Sequence, residues 1–328
     1  MADLAAPARR ASPVRAFAYA LPLAIFGLLA AFPLLARMLG EAYALGLVTR
    51  VMIFAIAALA LDLLVGYGAL VSFGHAAFIG LGAYAVGILG ASDVHESAIV
   101  LPVALAASML FAYLTGLVAL RTKGVYFIMI TLAFAQMAFF TASSLAPYGG
   151  DDGLTIHMRD TVLGLSLFES PLAFYYMVLG ALAASYVLCR VLIQSRFGRV
   201  FRGARENPAR MAAIGFDTMR FRLVAYVVSG GLGGLSGFFL ANATDFVSPA
   251  YMSWQRSGDL LIMVIFGGMG RLYGAVIGAL AYLLLEERLA DFTENWKVIV
   301  GPLLVIVAVY ARGGLVGVAE RLWRACRG

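Results

Sequence analysis

Asp62, His75 and Gln136 are the few strongly polar side chains inside otherwise apolar stretches of this sequence. A carboxylate at the centre of a membrane helix costs about 2.5–3.5 kcal/mol on insertion scales unless it is paired or faces water. Asp62 therefore either hydrogen bonds a neighbouring helix or belongs to a pathway for a polar solute. His75 follows a glycine-rich stretch, where it could cap a helix or contact a substrate. With Ser72, these residues are our candidates for a translocation path.

The sequence shows none of the residue patterns of an enzyme. It has no Ser/His/Asp or Cys/His constellation, no phosphate-binding glycine loop and no cluster of metal ligands. The two cysteines, Cys189 and Cys326, are far apart and lack metal-ligand spacing, so we interpret them as inert small residues. One Asp and one His are too few for a proton relay. We expect a transport subunit that binds no metal or cofactor of its own.

The composition predicts a membrane protein. Of the 328 residues, 62% are apolar and 13% are charged, whereas a soluble domain carries roughly a quarter charged residues. The uncharged run 16–36 alone has 21 residues, which at ~1.5 Å per residue gives ~31 Å and suffices to cross a hydrocarbon core. Because a signal-peptide core spans only ~7–15 residues, we interpret this run as an uncleaved first span.

Arginines concentrate in one loop. Residues 190–222 contain eight arginines against Glu206 and Asp217, so the positive-inside rule assigns this loop to the cytoplasm. Working outward from it predicts an all-α membrane protein of about ten helices (eight to ten) with both termini inside. The predicted spans are 16–36, 46–65, 72–92, 98–120, 124–145, 171–189, 223–244, 258–270, 273–285 and 297–311. Tails of residues 1–15 and 312–328 flank the transmembrane domain 16–311, and we expect both tails to be cytoplasmic.

Two of these spans are too short to cross unaided. Residues 258–270 and 273–285 number 13 each, and we interpret them as broken or re-entrant pieces. A single kinked helix is the alternative, and it would give nine spans in all.

Glycines cluster in two segments, 66–82 and 265–278. Because glycine costs about 1 kcal/mol in a helix interior relative to alanine, these clusters predict helix breaks, close helix contacts, or both. Tight packing explains most such glycines, but interrupted segments in opposite halves of a transporter also frame substrate paths. The glycines assigned to breaks or packing are Gly66, Gly68, Gly74, Gly267, Gly268 and Gly270.

The arginine-rich loop contains a short segment with the signals of a capped helix. Asn207 is a good N-cap, Pro208 suits the first helical position, and Gly215 can end the helix in the left-handed conformation. A helix of two turns is not stable alone in water, so we expect it to dock on a partner; a solvated basic loop near anionic lipid is the alternative. The docking residues are Glu206, Asn207, Pro208, Ala209, Arg210, Met211, Ala212, Ala213, Ile214 and Gly215.

Six motifs follow one another along the chain: LDLLVGYGALVSFGHAAF at 61–78, TKGVYFIMITLAFAQ at 122–136, ENPARMAAIG at 206–215, FRLVAYVVSG at 221–230, MVIFGGMG at 263–270 and GGLVG at 313–317. In this order they resemble the LivH/LivM family of branched-chain amino-acid permeases. The resemblance covers roughly residues 45–318.

The resemblance implies a permease subunit of an ABC importer in a bacterial inner membrane, moving leucine, isoleucine or valine delivered by a periplasmic binding protein. It implies a second, LivH-like permease as partner and two cytoplasmic ATPases that bind ATP and Mg. Residues 206–215 would be the loop that engages the ATPases. Two positions depart from the family pattern: Ala311 stands where proline is frequent, and Asp62 where asparagine is common.

Other functions stay open from the sequence. The family includes permeases for urea and short amides, and relatives handle other small acids, including aromatic ones. A stand-alone secondary transporter or channel would need no docking loop and would carry more paired charges inside the membrane. A structural subunit of a respiratory assembly would require haem-ligand histidine pairs or quinone sites, which the sequence lacks.

Overall fold

A computed structural model describes residues 13–39, 42–162, 164–290, 292, 298–303, 313–317 and 321. These residues form the predicted all-α architecture. Its helices are α1 (Pro13–Leu39), α2 (Ala42–Gly68), α3 (His75–Gly90), α4 (Ser97–Ala119), α5 (Val125–Ser143), α6 (Pro171–Gln194), α7 (Arg196–Glu206), α8 (Pro208–Ala213), α9 (Thr218–Thr244), α10 (Trp254–Gly267) and α11 (Leu272–Ala290).

The long apolar helices follow the predicted spans. Within the described residues, α2 from Tyr43, α4, α5, α6 and α9 are each long and apolar enough to cross a membrane, and the bent pair α10–α11 counts as a sixth. The apolar part of α1 (Leu21–Ala36) and all of α3 are shorter. The tail 1–12 and most of the predicted last span, 297–311, lie outside the described residues; 298–303 are helical.

The chain bends by 115° between α10 and α11. This bend fits two broken or re-entrant pieces, as the sequence predicts, and is too sharp for one kinked helix. The bend is caused by the backbone of the connection itself. Gly268 and Gly270 have φ angles of +114° and +77°, which residues other than glycine rarely adopt. No single continuous helix can pass through these two residues.

The centre of the bundle is formed by α2 and α9. In each of them 72% of the most apolar window is buried, against 28% in α4 and α5 and 33% in α6. Glycines let α3 and α9 approach closely: a Cβ on Gly82 would collide with the backbone of Gly234, and one on Gly237 with the carbonyl of Ile79. The predicted small-residue packing is therefore present, and α4, α5 and α6 lie at the periphery of the chain.

The loop between α5 and α6 is structured and lies at the C-terminal end of α9, the end away from α8. Strand β1 (Leu154–Thr155) pairs antiparallel with β2 (Phe246–Val247), a small addition to the predicted all-α fold. Arg159 donates two hydrogen bonds, both 2.7 Å long, to the carboxylate of Asp245 at the C-terminus of α9. The loop between α5 and α6 is thereby fixed to the end of α9.

Candidate translocation and docking site

The first predicted helix break lies at residues 69–74, between α2 and α3. It begins at Ala69, whose φ of +53° turns the chain out of the helix, and Leu70 N–H then donates to the carbonyl of Leu64 over 3.1 Å. The helix resumes only at His75. The break falls where the glycines of segment 66–82 predicted it.

Hydroxyl groups of other helices bind the backbone of this break. The N–H of Phe73 donates to Thr131 Oγ1 on α5 (3.2 Å), and the N–H of Ala76 donates to Ser257 Oγ on α10 (3.1 Å). Ser72, which is buried, accepts from Gly74 N–H over 3.2 Å. Backbone polar groups away from water must be satisfied inside the protein, so these hydroxyls are what permits an irregular segment here.

His75 joins three helices. It is 1% exposed, and its Nε2 lies 2.7 Å from Ser229 Oγ on α9. Ser229 in turn donates its hydroxyl proton to the carbonyl of Ala60 on α2. Because that proton is already used, the Nε2–H of His75 must be the donor to Ser229, which leaves the lone pair on Nδ1. Nδ1 has no hydrogen-bond partner among the described residues.

Asp62 is fully buried and binds the second helix break. Its Oδ1 accepts a hydrogen bond of 2.8 Å from Gly270 N–H, just before α11 begins, where a carboxylate is favoured by the helix dipole. Gly66, one turn along α2, lies against the backbone of Gly270. Within the described part of the chain Asp62 Oδ2 has no hydrogen-bond partner. The two glycine-rich segments therefore meet at Asp62, through the interhelical hydrogen bond that was one of its two expected roles.

A third glycine segment completes this junction. The backbone of Gly313 and Gly314 packs against Gly268, so closely that a side chain at Gly268 or at Gly314 would collide. The motif at 313–317 is thus placed beside the α10–α11 bend, a contact that the sequence did not predict.

The four candidate path residues are only partly brought together. Ser72 lies in the first break, His75 is the first residue of the helix that follows it, and Asp62 lies on the helix that precedes it. All three are at most 1% exposed, so this conformation closes them off from the surface. Gln136 is half-buried on α5 and, among the described residues, makes no hydrogen bond to the other three. Thr131, Ser229 and Ser257, which bind the break or the start of α3, were missed because hydroxyls are ordinary in apolar helices.

An apolar cavity of about 490 Å³ lies between α3, α4 and α5. Its walls include Leu81, Tyr84, Phe111, Val118 and Met137, and none of the four candidate path residues lines it. The cavity and the buried polar residues are thus separate features of the bundle. Nor do three metal-ligating side chains come together anywhere in the described ranges.

Helix α7 connects the bundle to the docking segment, residues 206–215. The helix is strongly amphipathic, with Val200, Phe201 and Ala204 buried. Ser195 caps its N-terminus by accepting from Gly198 N–H, and Arg222 on α9 donates to the carbonyl of Ala204 over 2.7 Å. These contacts hold α7 against the bundle.

The next helix, α8, has the predicted caps and is exposed. Asn207 Oδ1 accepts from Arg210 N–H over 2.9 Å, Pro208 is the first helical residue, and Gly215 has a φ of +94°. None of the six helical residues is buried, and Ile214 and Phe216 just beyond are 65% and 39% exposed. Exposed apolar residues on a short, well-capped helix are typical of a docking surface.

The chain has clear relatives among known proteins. The family described as branched-chain amino acid transport system / permease component matches residues 43–308. The chain is 26% identical over 290 residues to the high-affinity branched-chain amino acid transport system permease protein LivM of Salmonella typhimurium, covering 81% of this chain and 68% of that protein. LivM of Escherichia coli is 25% identical over the same shares.

A probable branched-chain amino acid transport permease protein LivH of Methanocaldococcus jannaschii is 29% identical over 157 residues, 44% of this chain and 47% of that protein. No solved structure matches the chain. The matches agree with the resemblance carried by the sequence motifs.

Proposed function

Because this chain belongs to the branched-chain amino acid transport permease family, we propose that it is a membrane permease subunit of an ATP-driven importer of branched-chain amino acids. The relatives named LivM and LivH support this substrate class. The observation that supports the ATP-driven part is the exposed α8: none of its described residues is buried, and the apolar Ile214 and Phe216 beside it are exposed.

In this scheme the chain performs no ATP chemistry. Two ATPase subunits bind ATP and Mg, and they contact α8 and the residues that flank it, 206–215. The arginine-rich loop 190–222 and both termini face the cytoplasm of a bacterium, and the protein lies in its inner membrane. A second, LivH-like permease completes the membrane part, and a periplasmic binding protein delivers the amino acid on the side of the β1–β2 loop.

Transport follows by alternating access. Closure of the ATPases on ATP displaces α8 and α7 and tilts the helices that continue from them, α6 and α9. The buried polar residues Asp62, Ser72 and His75, with Gln136, become accessible to the solute only in another conformation. Because these groups are few, we expect the binding protein to supply most of the discrimination between solutes.

Replacement of an exposed docking residue tests the proposal. The tagged chain is co-expressed with the transport genes next to its own, purified in mild detergent, and its co-eluting proteins are identified. Ile214→Asp places a charge on the docking surface, and Leu165→Asp is the matched control, because Leu165 is 60% exposed in the loop at the opposite end of α6. We expect two ATPase subunits with the unaltered chain and with L165D, and their loss with I214D.

Uptake into proteoliposomes separates the alternatives. ATP-dependent uptake of radiolabelled leucine, competed by isoleucine and valine and not by urea or acetamide, is the expected result. A chain that elutes alone and moves leucine without ATP would establish a secondary transporter instead. Competition by urea or acetamide would keep the importer but replace its substrate class.

A further inference from the structure

Two residues on one face of α7 contact the C-terminal end of α2. Phe201 and Arg205 are four residues apart and therefore lie on the same side of the helix. The ring of Phe201 packs on Gly68, so closely that a Cβ there would collide with it. Arg205 Nη1 donates a hydrogen bond to the carbonyl of Gly66. Helix α7 therefore packs against α2 at Gly66 and Gly68.

The Gly66 carbonyl is available because of how α2 ends. In a continuous helix it would accept from the N–H of residue 70. Here Leu70 N–H donates to Leu64 instead, after the left-handed turn at Ala69. A guanidinium is a favourable partner for such an orphan carbonyl, since it brings positive charge to the negative end of the helix dipole. Arg205 therefore completes the C-terminus of α2 from another helix.

The same glycine contacts the second helix break. A Cβ on Gly66 would collide with Gly270 N and with Asp62 Oδ1, the two atoms of the hydrogen bond that fixes the α10–α11 connection. One peptide of α2 is therefore held by α7 on one side and by the α10–α11 bend on the other. The docking helix joins this arrangement through Met211, which packs against Gly203 of α7.

We propose that Arg205 is a positioning residue that transmits displacement of the docking segment to the junction of Asp62, Gly66 and Gly270. The inference rests on the proposed function, because it needs a partner that moves α8. The element that we expect to change its arrangement is the α10–α11 bend, whose Gly268 and Gly270 have positive φ angles. A displacement of the Gly66 peptide by Arg205 changes the contact between Gly66 and Gly270, which holds this bend in place.

Arg205→Met tests the assignment in the complete transporter, since methionine fills similar space without a donor. Arg199→Met is the matched control, because Arg199 is exposed on the same helix and its replacement removes the same charge. We expect R205M to keep its ATPase subunits and to hydrolyse ATP at a rate within about twofold of R199M, while leucine imported per ATP falls by about fivefold or more. Its melting temperature should lie at most a few degrees below that of R199M, because only one hydrogen bond is lost. Arg205→Lys, which retains a donor, should restore at least half of that ratio.

Two results would overturn the assignment. R205M could import as much leucine per ATP as R199M, or it could lose its ATPase subunits, which would make Arg205 part of the docking surface. If R205M does not accumulate, Arg205→Gln decides by the same ratio, because its amide is too short to reach the Gly66 carbonyl. An unaltered chain that purifies without ATPases would refute the importer itself, an outcome that these variants do not produce.

Discussion

Gly66 and Gly270 lie backbone against backbone, although they belong to opposite halves of the chain. Their contact leaves no room for a side chain at position 66, where a Cβ would meet the Asp62 carboxylate and the Gly270 amide. This contact brings the helix breaks at 69–74 and 268–271 into one junction.

Gly66→Ala should destabilise the protein strongly for a change of one methyl group. Overpacking of this kind costs about 1–3 kcal/mol, and here it also displaces the hydrogen bond between Asp62 and Gly270. Gly46→Ala, in the same helix α2, has nothing within 4 Å of the added Cβ and should be neutral or gain up to about 1 kcal/mol. Melting curves of both variants in detergent measure the difference. Equal melting temperatures of the two variants would show that the junction accommodates the added methyl group without loss of stability.

Asp62→Asn separates the two roles expected for this residue. An asparagine Oδ1 can still accept from Gly270 N–H, and its Nδ2 takes the place of Oδ2, which has no hydrogen-bond partner among the described residues. If the role of Asp62 is to hold the bend, the variant should melt at the same temperature or higher and transport normally. Asp62→Leu should lose about 1–3 kcal/mol, because it leaves the Gly270 amide unpaired. A stable D62N protein that has lost leucine uptake would instead assign the charge a role in the path.

Local features of this fold were predictable from the sequence. Asn207, Pro208 and Gly215 each act on backbone within a few residues, so their types alone indicated where α8 begins and ends. The break after Gly68 was likewise signalled by its own glycines. The long apolar runs gave the helices of the bundle, because a span must have that length whatever surrounds it.

Contacts between distant segments were not predictable. The partner of His75 is Ser229, which looks like any other serine in an apolar helix, and only the packing of α3 against α9 brings the two together. For the same reason Gln136 was grouped with Asp62 and His75 by residue type, although the structure places it apart. The hydrogen bond from Arg205 to the Gly66 carbonyl depends on how α7 packs against α2, which the sequence does not reveal.

The loop at the opposite end of α9 should respond to pH through Asp160. The pKa of this carboxyl is raised from 3.8 to about 6, because burial and, to a smaller extent, nearby Glu96 outweigh the hydrogen bond from Asn242 and the interaction with His95, which lower it. Because the pKa is higher in the folded chain than in the unfolded one, folding takes up a proton between about pH 4 and pH 6. This contribution to stability is full below that window and is lost as the pH rises through 6.

Asp160→Asn should remove this dependence. The asparagine keeps an acceptor for Asn242 Nδ2, which donates to Asp160 Oδ2 over 3.0 Å, and it has no charge to bury. We expect a higher melting temperature than the unaltered chain at neutral pH and a flatter profile between about pH 4 and pH 6. Asp152→Asn, in an exposed part of the same loop, is the control and should leave the profile unchanged. An unchanged profile in D160N would assign the pH response to another group.

Ser229→Ala should cost more stability than its size suggests, because one hydroxyl serves two helices. Its removal leaves the His75 Nε2–H and the Ala60 carbonyl without this partner, and an unsatisfied buried donor costs about 1–3 kcal/mol. Ser185→Ala is the matched control: Ser185 is equally buried, but its hydroxyl bonds only Ala181 in its own helix, whose carbonyl keeps its helical partner. Melting temperatures should therefore fall clearly in S229A and little in S185A. Similar values for the two variants would show that the link from His75 through Ser229 to Ala60 does not hold the start of α3 in place.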